Sequence, residues 1–375
     1  MKFVGKITIA VFCFIIFGLF ITNIILPDNE FSQTENRYLQ QAPVFSFKTL
    51  LSGDFTKDFE KYVTDQFSFK DIWIGLKTAC EITLGKSENN DVFICKDGNL
   101  IERFEKPNYE RIDKNITSIN TFTEKLDIPV HFMLVPNAVK IYEHKLPRFA
   151  QNYDQLKVIN YTEEKLTDKA QFVQIYDDLE KHNNEYIFYK NDHHWTSLGA
   201  YYGYCSLADN MKINNLSIND FNVETVTNQF LGTMYSKSGV SWSKPDKIDV
   251  YKPKNNFQCE TKIIDKNTIF EGLYDWSYLD VKDKYSLFIG GNNSLVKINT
   301  NIENDKRLLI IKDSYAHALI PFISNHFSEV HIIDLRYYND DIVKYVDDNN
   351  IDNVVILYNV SNFCSDNNLI WLSAY

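Results

Sequence analysis

"RLLIIKDSYAHALIPFISNHFSEVHIIDL" (residues 307–335) decides the fold class. Leu308, Leu309, Ile310 and Ile311 form an unbroken apolar run, too short for a helix. The pattern Tyr315, Ala318, Leu319, Phe322, Ile323 then recurs at three- and four-residue spacing, which predicts a helix over 315–327. A second apolar run, "EVHIIDL" (329–335), follows. After a helix-like stretch at about 339–349 comes a third, "NVVILYN" (353–359). Strands that are apolar on both faces and alternate with helices belong to a parallel sheet covered on both sides. The expected fold is a three-layer α/β domain with a central, mostly parallel sheet.

Working outward, "VHFMLVP" (130–136), "FVQIYD" (172–177) and "YSLFIGG" (285–291) read as further strands. Residues 211–284 show little periodicity, and so long an irregular connection is usually functional or a lid. Upstream, "DVFICKDGNLIERF" (91–104) has the Asp-Gly signature of a hairpin, and residues 54–84 carry one or two amphipathic helices. Residues 28–53 are polar and without sustained period. At the front, "ITIAVFCFIIFGLFITNIIL" (7–26) is an uncharged apolar run behind Lys2 and Lys6. As a helix it spans about 30 Å, the thickness of a bilayer core. It is longer than a typical signal-peptide core and no small-residue cleavage site follows it, so an uncleaved anchor is expected rather than a signal peptide. The positive-inside rule then puts everything beyond Pro27 outside the cytoplasm, as a single-pass protein of the cell membrane. The expected organisation is an anchor over 1–27, an arm with helices over 28–90, and an α/β domain over 91–375.

A formal net charge of −11 argues against nucleic acid as a partner, because phosphate binding needs concentrated Lys and Arg. A neutral or cationic partner is easier to accommodate. Of six cysteines, Cys13 lies in the anchor, and the odd number left over excludes a complete disulfide framework. No Cys-x-x-Cys spacing supports a zinc ribbon or a redox motif.

The candidate chemistry comes from two segments. Ser314 follows an apolar strand and precedes a helix, at the edge where open α/β sheets bind ligands and where free helix N–H groups stabilise an oxyanion. A serine hydroxyl needs a base, and a histidine serves best when a carboxylate fixes its tautomer. "YKNDHHWTSLGAYYGY" (189–204) supplies Asp192, His193 and His194. In an extended segment Asp192 and His194 point to one side and His193 is turned away, although spacing alone does not choose between the two histidines. Ser314 also has a bland reading as a helix N-cap, for which Asp313 competes. The Asp-His-His cluster has a zinc reading, weakened by the absence of a third well-placed ligand. Arg336, just past the 329–335 run, would bind a substrate carboxylate or phosphate, or else form a surface salt bridge. Gly290 and Gly291, Asn359, Asn137 and Lys237 are further candidates for oxyanion or substrate contacts.

"NDHHWTSLGAYYGY", "GGNNSLVKI" (290–298) and the 307–335 segment together resemble the DHHW protein family, a branch of the SGNH-hydrolase-like proteins related to the alginate O-acetylation enzymes (AlgJ and AlgX). The resemblance covers most of residues 36–360. It implies an SGNH-hydrolase-like fold, with Asp192 as orienter, His194 as base and Ser314 as nucleophile. It also implies a serine esterase or O-acyltransferase acting on acyl groups, acetyl being the expected one, of a cell-surface or secreted polysaccharide. A membrane-bound O-acyltransferase would be the acyl-donor partner, and neither cofactor nor metal is called for. One departure stands out: Lys312-Asp313 precedes the serine where ordinary SGNH enzymes have Gly-Asp. That departure feeds the alternative of a non-catalytic polysaccharide-binding or assembly scaffold of the same fold.

Overall fold

The computed structural model describes residues 2–374, which divide into two compact units: one holds the N-terminal residues to Asn89 together with Tyr235–Ser243, the other Asn90–Met234 with the remainder from Lys244 onward.

The larger unit is built on an eight-stranded mixed sheet. Its strands are β1 (Val130–Val135), β2 (Ala170–Phe172), β3 (Cys259–Ile263), β4 (Thr268–Glu271), β5 (Leu295–Thr300), β6 (Arg307–Lys312), β7 (Glu329–Ile333) and β8 (Asn353–Asn359). They lie in the order β4-β3-β5-β7-β6-β8-β1-β2. β7, β6, β8, β1 and β2 run parallel, whereas β5, β3 and β4 extend the sheet antiparallel from the β7 edge. Helices α1 (Tyr109–Glu124), α2 (Ser197–Asn210), α3 (Ala316–Ile323) and α4 (Ile342–Asp348) flank it, with α3 packed on α2. Leu308 to Ile311 and Val354 to Leu357 are fully inaccessible to solvent, which is why these strands carry no polar alternation. Each such side chain contributes about 1.5–3 kcal/mol on burial.

The strands over 130–136, 307–313, 329–335 and 353–359 and the helices over 315–327 and 339–349 correspond to β1, β6, β7, β8, α3 and α4. Three expectations are corrected. "YSLFIGG" is not a strand. Lys284–Leu287 forms one 3-10 turn, and Ile289, Gly290 and Gly291 all take positive φ (53°, 74° and 76°). That conformation ends any pleat and turns the chain into β5. In "FVQIYD" only the first residue is strand; pairing stops at Phe172 and Tyr176–Lys181 is helical. Residues 211–284 are not irregular throughout: Phe221–Phe230 pairs antiparallel with Asp246–Pro253, and β3 and β4 follow. The Phe221–Phe230 strand is buried only at its two ends, so no apolar period announces it.

In the smaller unit, Lys2–Ile25 is one helix, and the apolar stretch Phe3–Ile25 is long enough to cross a membrane. Three helices follow, Phe47–Ser52, Asp54–Asp65 and Lys70–Thr83. Within this unit Arg37 forks onto Asp65 at 2.8 and 2.5 Å, and Asn89 Nδ2 donates to the Ser238 carbonyl at 2.7 Å. The Arg37 hydrogen bond, against a desolvation cost, holds the Asp65 carboxyl well below the usual carboxylate range.

Candidate functional site

The two segments meet because buried aromatic residues tie them together. Phe188 and Trp195 form an antiparallel bridge that closes the 189–194 loop, and Thr196 Oγ1 caps α2 by accepting from Gly199 N at 3.3 Å. Trp195 is fully buried, and its indole N–H donates to the Tyr315 carbonyl at 2.8 Å. Tyr315 returns the contact by donating its hydroxyl to the His193 carbonyl. The residue after Ser314 and the residue after His194 therefore brace one loop on the other, across a separation of 120 positions.

The braced loops align three side chains. His194 Nε2 lies 2.7 Å from Ser314 Oγ, and His194 Nδ1 lies 2.5 Å from Asp192 Oδ1. With Nδ1–H donating to the carboxylate, Nε2 keeps its lone pair and can accept the serine proton. Asp192 is further held by His194 N at 3.0 Å on Oδ1, and by Thr233 N and Oγ1 at 2.8 and 2.9 Å on Oδ2. A side chain at Gly232 would meet this carboxylate at 2.2 Å, so only glycine lets the backbone approach it. The His194 ring stacks on Tyr285, centroids 3.8 Å apart and planes 13° from parallel.

Asp192, His194 and Ser314 are 3%, 6% and 9% exposed. Burial, with the neighbouring His193 as second cause, pulls the His194 imidazole down to about 4, although the Asp192 carboxylate pulls the other way. Burial opposes charge on Asp192 too, but the adjacent histidines and the Thr233 N–H outweigh it and hold the carboxyl well below its ordinary range. At neutral pH the trio is carboxylate, neutral imidazole and hydroxyl.

Ser314 does not cap its helix. Asp313 Oδ1 accepts from Tyr315 N at 2.8 Å, while Asp313 Oδ2 takes Asn359 N at 2.8 Å and Asn359 Nδ2 at 2.6 Å. The Ser314 N–H has no acceptor among the described residues. Lys312 is 1% exposed, and its ammonium is directed at Asp334 (2.9 Å), His317 (2.7 Å) and Asn292 (3.4 Å). It thus fills an internal position that glycine would leave empty.

The other expected residues fare differently. His193 is not turned away from the cluster: its ring lies 3.8 Å, centroid to centroid, from that of His194, and its Nδ1 meets Thr233 Oγ1 at 2.7 Å. Extended-strand alternation fails here because residues 191–194 bend. Arg336 is committed to Asp334, with Nε to Oδ1 at 2.8 Å and Nη2 to Oδ2 at 2.6 Å, and it also donates to Asn292 Oδ1 at 2.9 Å. Asn359 and Asn137 hold the scaffold. Asn359 Oδ1 accepts from Asn137 Nδ2 at 3.0 Å, and Asn137 also binds the Tyr315 hydroxyl, Gln155 and Ser361. The Gly290 and Gly291 carbonyls accept from Asn293 Nδ2 at 3.0 and 3.2 Å inside their turn. Lys237 lies in the segment that packs within the smaller unit. Asp192, His193 and His194 offer ligand atoms within 4.8 Å of one another. Both nitrogens of His194 are engaged, however, which leaves fewer free ligands than a zinc site needs.

Sequence reasoning missed Tyr285, Thr233, Tyr315 and Asn292. Tyr315 was legible only as a helix-face residue, and Asn292 only as part of the "GGNN" turn. Asn292 is exposed and its Oδ1 accepts from both Arg336 and Lys312, which leaves its amide NH2 without an acceptor among the described residues.

Comparison with known proteins agrees with this architecture. A DHHW family protein from Eubacterium siraeum superposes with a TM-score of 0.67 at 26% identity, over 76% of this chain and 95% of its own. Bacillus cereus PatB1, solved with a sulfonyl adduct, gives 0.63 at 23% identity over 73% and 96%. The O-acetyltransferase domain of Pseudomonas putida AlgJ is remoter, 0.47 at 14% identity over 74% and 93%, too loose for residue correspondence. No curated protein sequence matches the chain. The DHHW protein family model matches residues 108–333, a span running from α1 through β7 and containing Asp192, His194 and Ser314, and the chain therefore belongs to the DHHW family.

Proposed function

We propose that this protein is a membrane-anchored serine O-acyltransferase or esterase that acts, outside the cytoplasm, on acyl groups of a cell-surface or secreted polysaccharide. The observation that carries this reading is the unbroken hydrogen-bond chain from Asp192 through His194 to Ser314 at the carboxyl end of a parallel strand. Ser314 Oγ attacks the acyl carbonyl while His194 Nε2 takes its proton, and Asp192 stabilises the imidazolium. The Ser314 N–H and the unpaired NH2 of Asn292 are the donors we assign to the oxyanion. His194 then returns the proton to the leaving group, which departs and leaves the acyl group on Ser314. Water or a sugar hydroxyl, deprotonated by His194, releases it. An acetyl group is the acyl group we favour, with a membrane-bound O-acyltransferase as its donor. AlgJ, whose structure is that of an O-acetyltransferase domain, shares the expected chemistry by name only. Residues 1–27 serve as the anchor, 28–90 as the arm that carries the domain off the membrane, and 91–375 as the catalytic domain.

The internal ion pairing of Lys312 supports catalysis over the scaffold alternative, because the departure from Gly-Asp is accommodated without displacing Ser314 from His194. The test is covalent. Full-length protein in detergent should react with a sulfonyl fluoride or fluorophosphonate at Ser314 and hydrolyse a chromogenic acetate ester, and both should vanish in Ser314→Ala. Retained turnover in that variant removes the reading. Acetyl content of the surface glycan, measured by mass spectrometry with and without the gene, identifies the substrate.

A further inference from the structure

The antiparallel end of the sheet carries a second concavity, lined by none of Asp192, His194 and Ser314. It is an open groove of about 870 Å³ between β3, β4, β5 and the segment Gly272–Trp276. Trp276 forms one wall and is 43% exposed, a large aromatic surface left to solvent. Tyr274 packs beside it with ring centroids 5.6 Å apart. Lys252 lies 5.0 Å from the Trp276 ring and is already paired with Glu224 at 2.5 Å.

The floor carries a specific row. In the strand register Glu271 stands opposite Glu260, and Glu260 stands opposite Asn299, so three polar side chains project from one face of three adjacent strands. Their spacing is about 4.8 Å, set by the sheet. Like charges directly opposite weaken a sheet, and neither carboxylate has a cationic partner among the described residues. An aromatic face beside a ladder of acceptors suits a pyranose. The C–H face of the sugar packs on the indole, and vicinal hydroxyls donate to carboxylates and the amide. A uronic acid would be repelled by the two glutamates and by the net charge of −11.

The chain that lines the groove also leads to the candidate active site. Tyr274 bridges to Phe288, and the intervening chain carries Tyr285, which stacks on His194. One stretch of chain thus connects the two places. We propose that this groove is an accessory subsite for an uncharged pyranose unit of the polysaccharide, holding the polymer while another unit reaches Ser314. The proposal rests on the polysaccharide reading above.

The test uses the full chain in detergent and isothermal titration calorimetry. It is titrated with neutral tetrasaccharides of glucose, galactose, mannose and N-acetylglucosamine, and with a galacturonate tetrasaccharide. At least one neutral tetramer should bind, with Trp276→Ala weakening it about tenfold, the equivalent of one good aromatic contact. Glu260→Gln with Glu271→Gln should weaken it as well. Turnover of a small chromogenic acetate should be unchanged in Trp276→Ala. Binding by no neutral tetramer, equal binding of the uronate, or wild-type affinity in Trp276→Ala each overturns the proposal. Glycan binding without any esterase turnover would instead sink the serine reading and leave the groove standing; turnover without binding does the reverse.

Discussion

Two polar clusters flank the end of β6, and they differ in how they are closed. In the first, Asp192, His194 and Ser314 form a line with a carboxylate at one end and a hydroxyl at the other. In the second, Asp334 binds both Lys312 and Arg336, and the two cations converge again on Asn292. The line leaves its last member free to exchange a proton. The ring closes on itself: Arg336 and Lys312 hold the Asp334 carboxyl below the ordinary range against its burial, while burial pulls Lys312 down. Neighbouring clusters, each built on one buried aspartate, are thus distinguished by connectivity as well as by residue type.

Substitutions can break that contrast. Ser314→Ala should lower turnover by roughly 10⁶, the scale of losing a nucleophile, as read by ester hydrolysis. Asp192→Asn should cost about 10⁴ through loss of the correct tautomer, with the thermal unfolding midpoint little changed. A drop in stability without a drop in rate would place Asp192 with the cohesive cluster instead. Lys312→Met should do the opposite of Asp192→Asn. Removing a buried partner costs about 3 kcal/mol, seen as a lower urea midpoint, while the nucleophile still reacts with a sulfonyl fluoride.

Acidity sharpens the comparison next. The proposed base works only when neutral, so kcat/KM should stay level from neutral pH downward and fall as His194 protonates at about 4. A fall centred near 6.5 would mean that burial does not govern the imidazole. The smallest effect belongs to His193→Ala, which leaves the line intact and should cost less than about tenfold, against the 10²–10⁴ expected of a general base. A larger loss would transfer the base role to His193.

Much of this molecule was legible before any coordinates. Strands buried on both faces must be apolar throughout, so β1, β6, β7 and β8 were visible as runs, and the Asp-Gly hairpin and the N-terminal apolar helix were visible for equally local reasons. β3, β4 and the Phe221–Phe230 strand were hidden because solvent on one face mixes polar residues into their pattern. "YSLFIGG" misled because its apolar residues are buried in a turn, and burial alone does not distinguish a turn from a pleat.

The residues of the candidate site were nameable one by one from the chain, since Ser314 and Asp192-His193-His194 carry their chemistry in their side chains. Their relation was not. Which imidazole faces the hydroxyl, and that Asn137 and Asn359 brace the loops, follow from contacts between segments more than 100 positions apart; that Arg336 is consumed by Asp334, two positions away, follows from how the chain turns after β7. Local sequence determines what a short stretch can bury and which groups it offers. Only the packing of Trp195 and Tyr315 against each other's loops, a balance of many weak contacts across the whole chain, decides which of those groups meet.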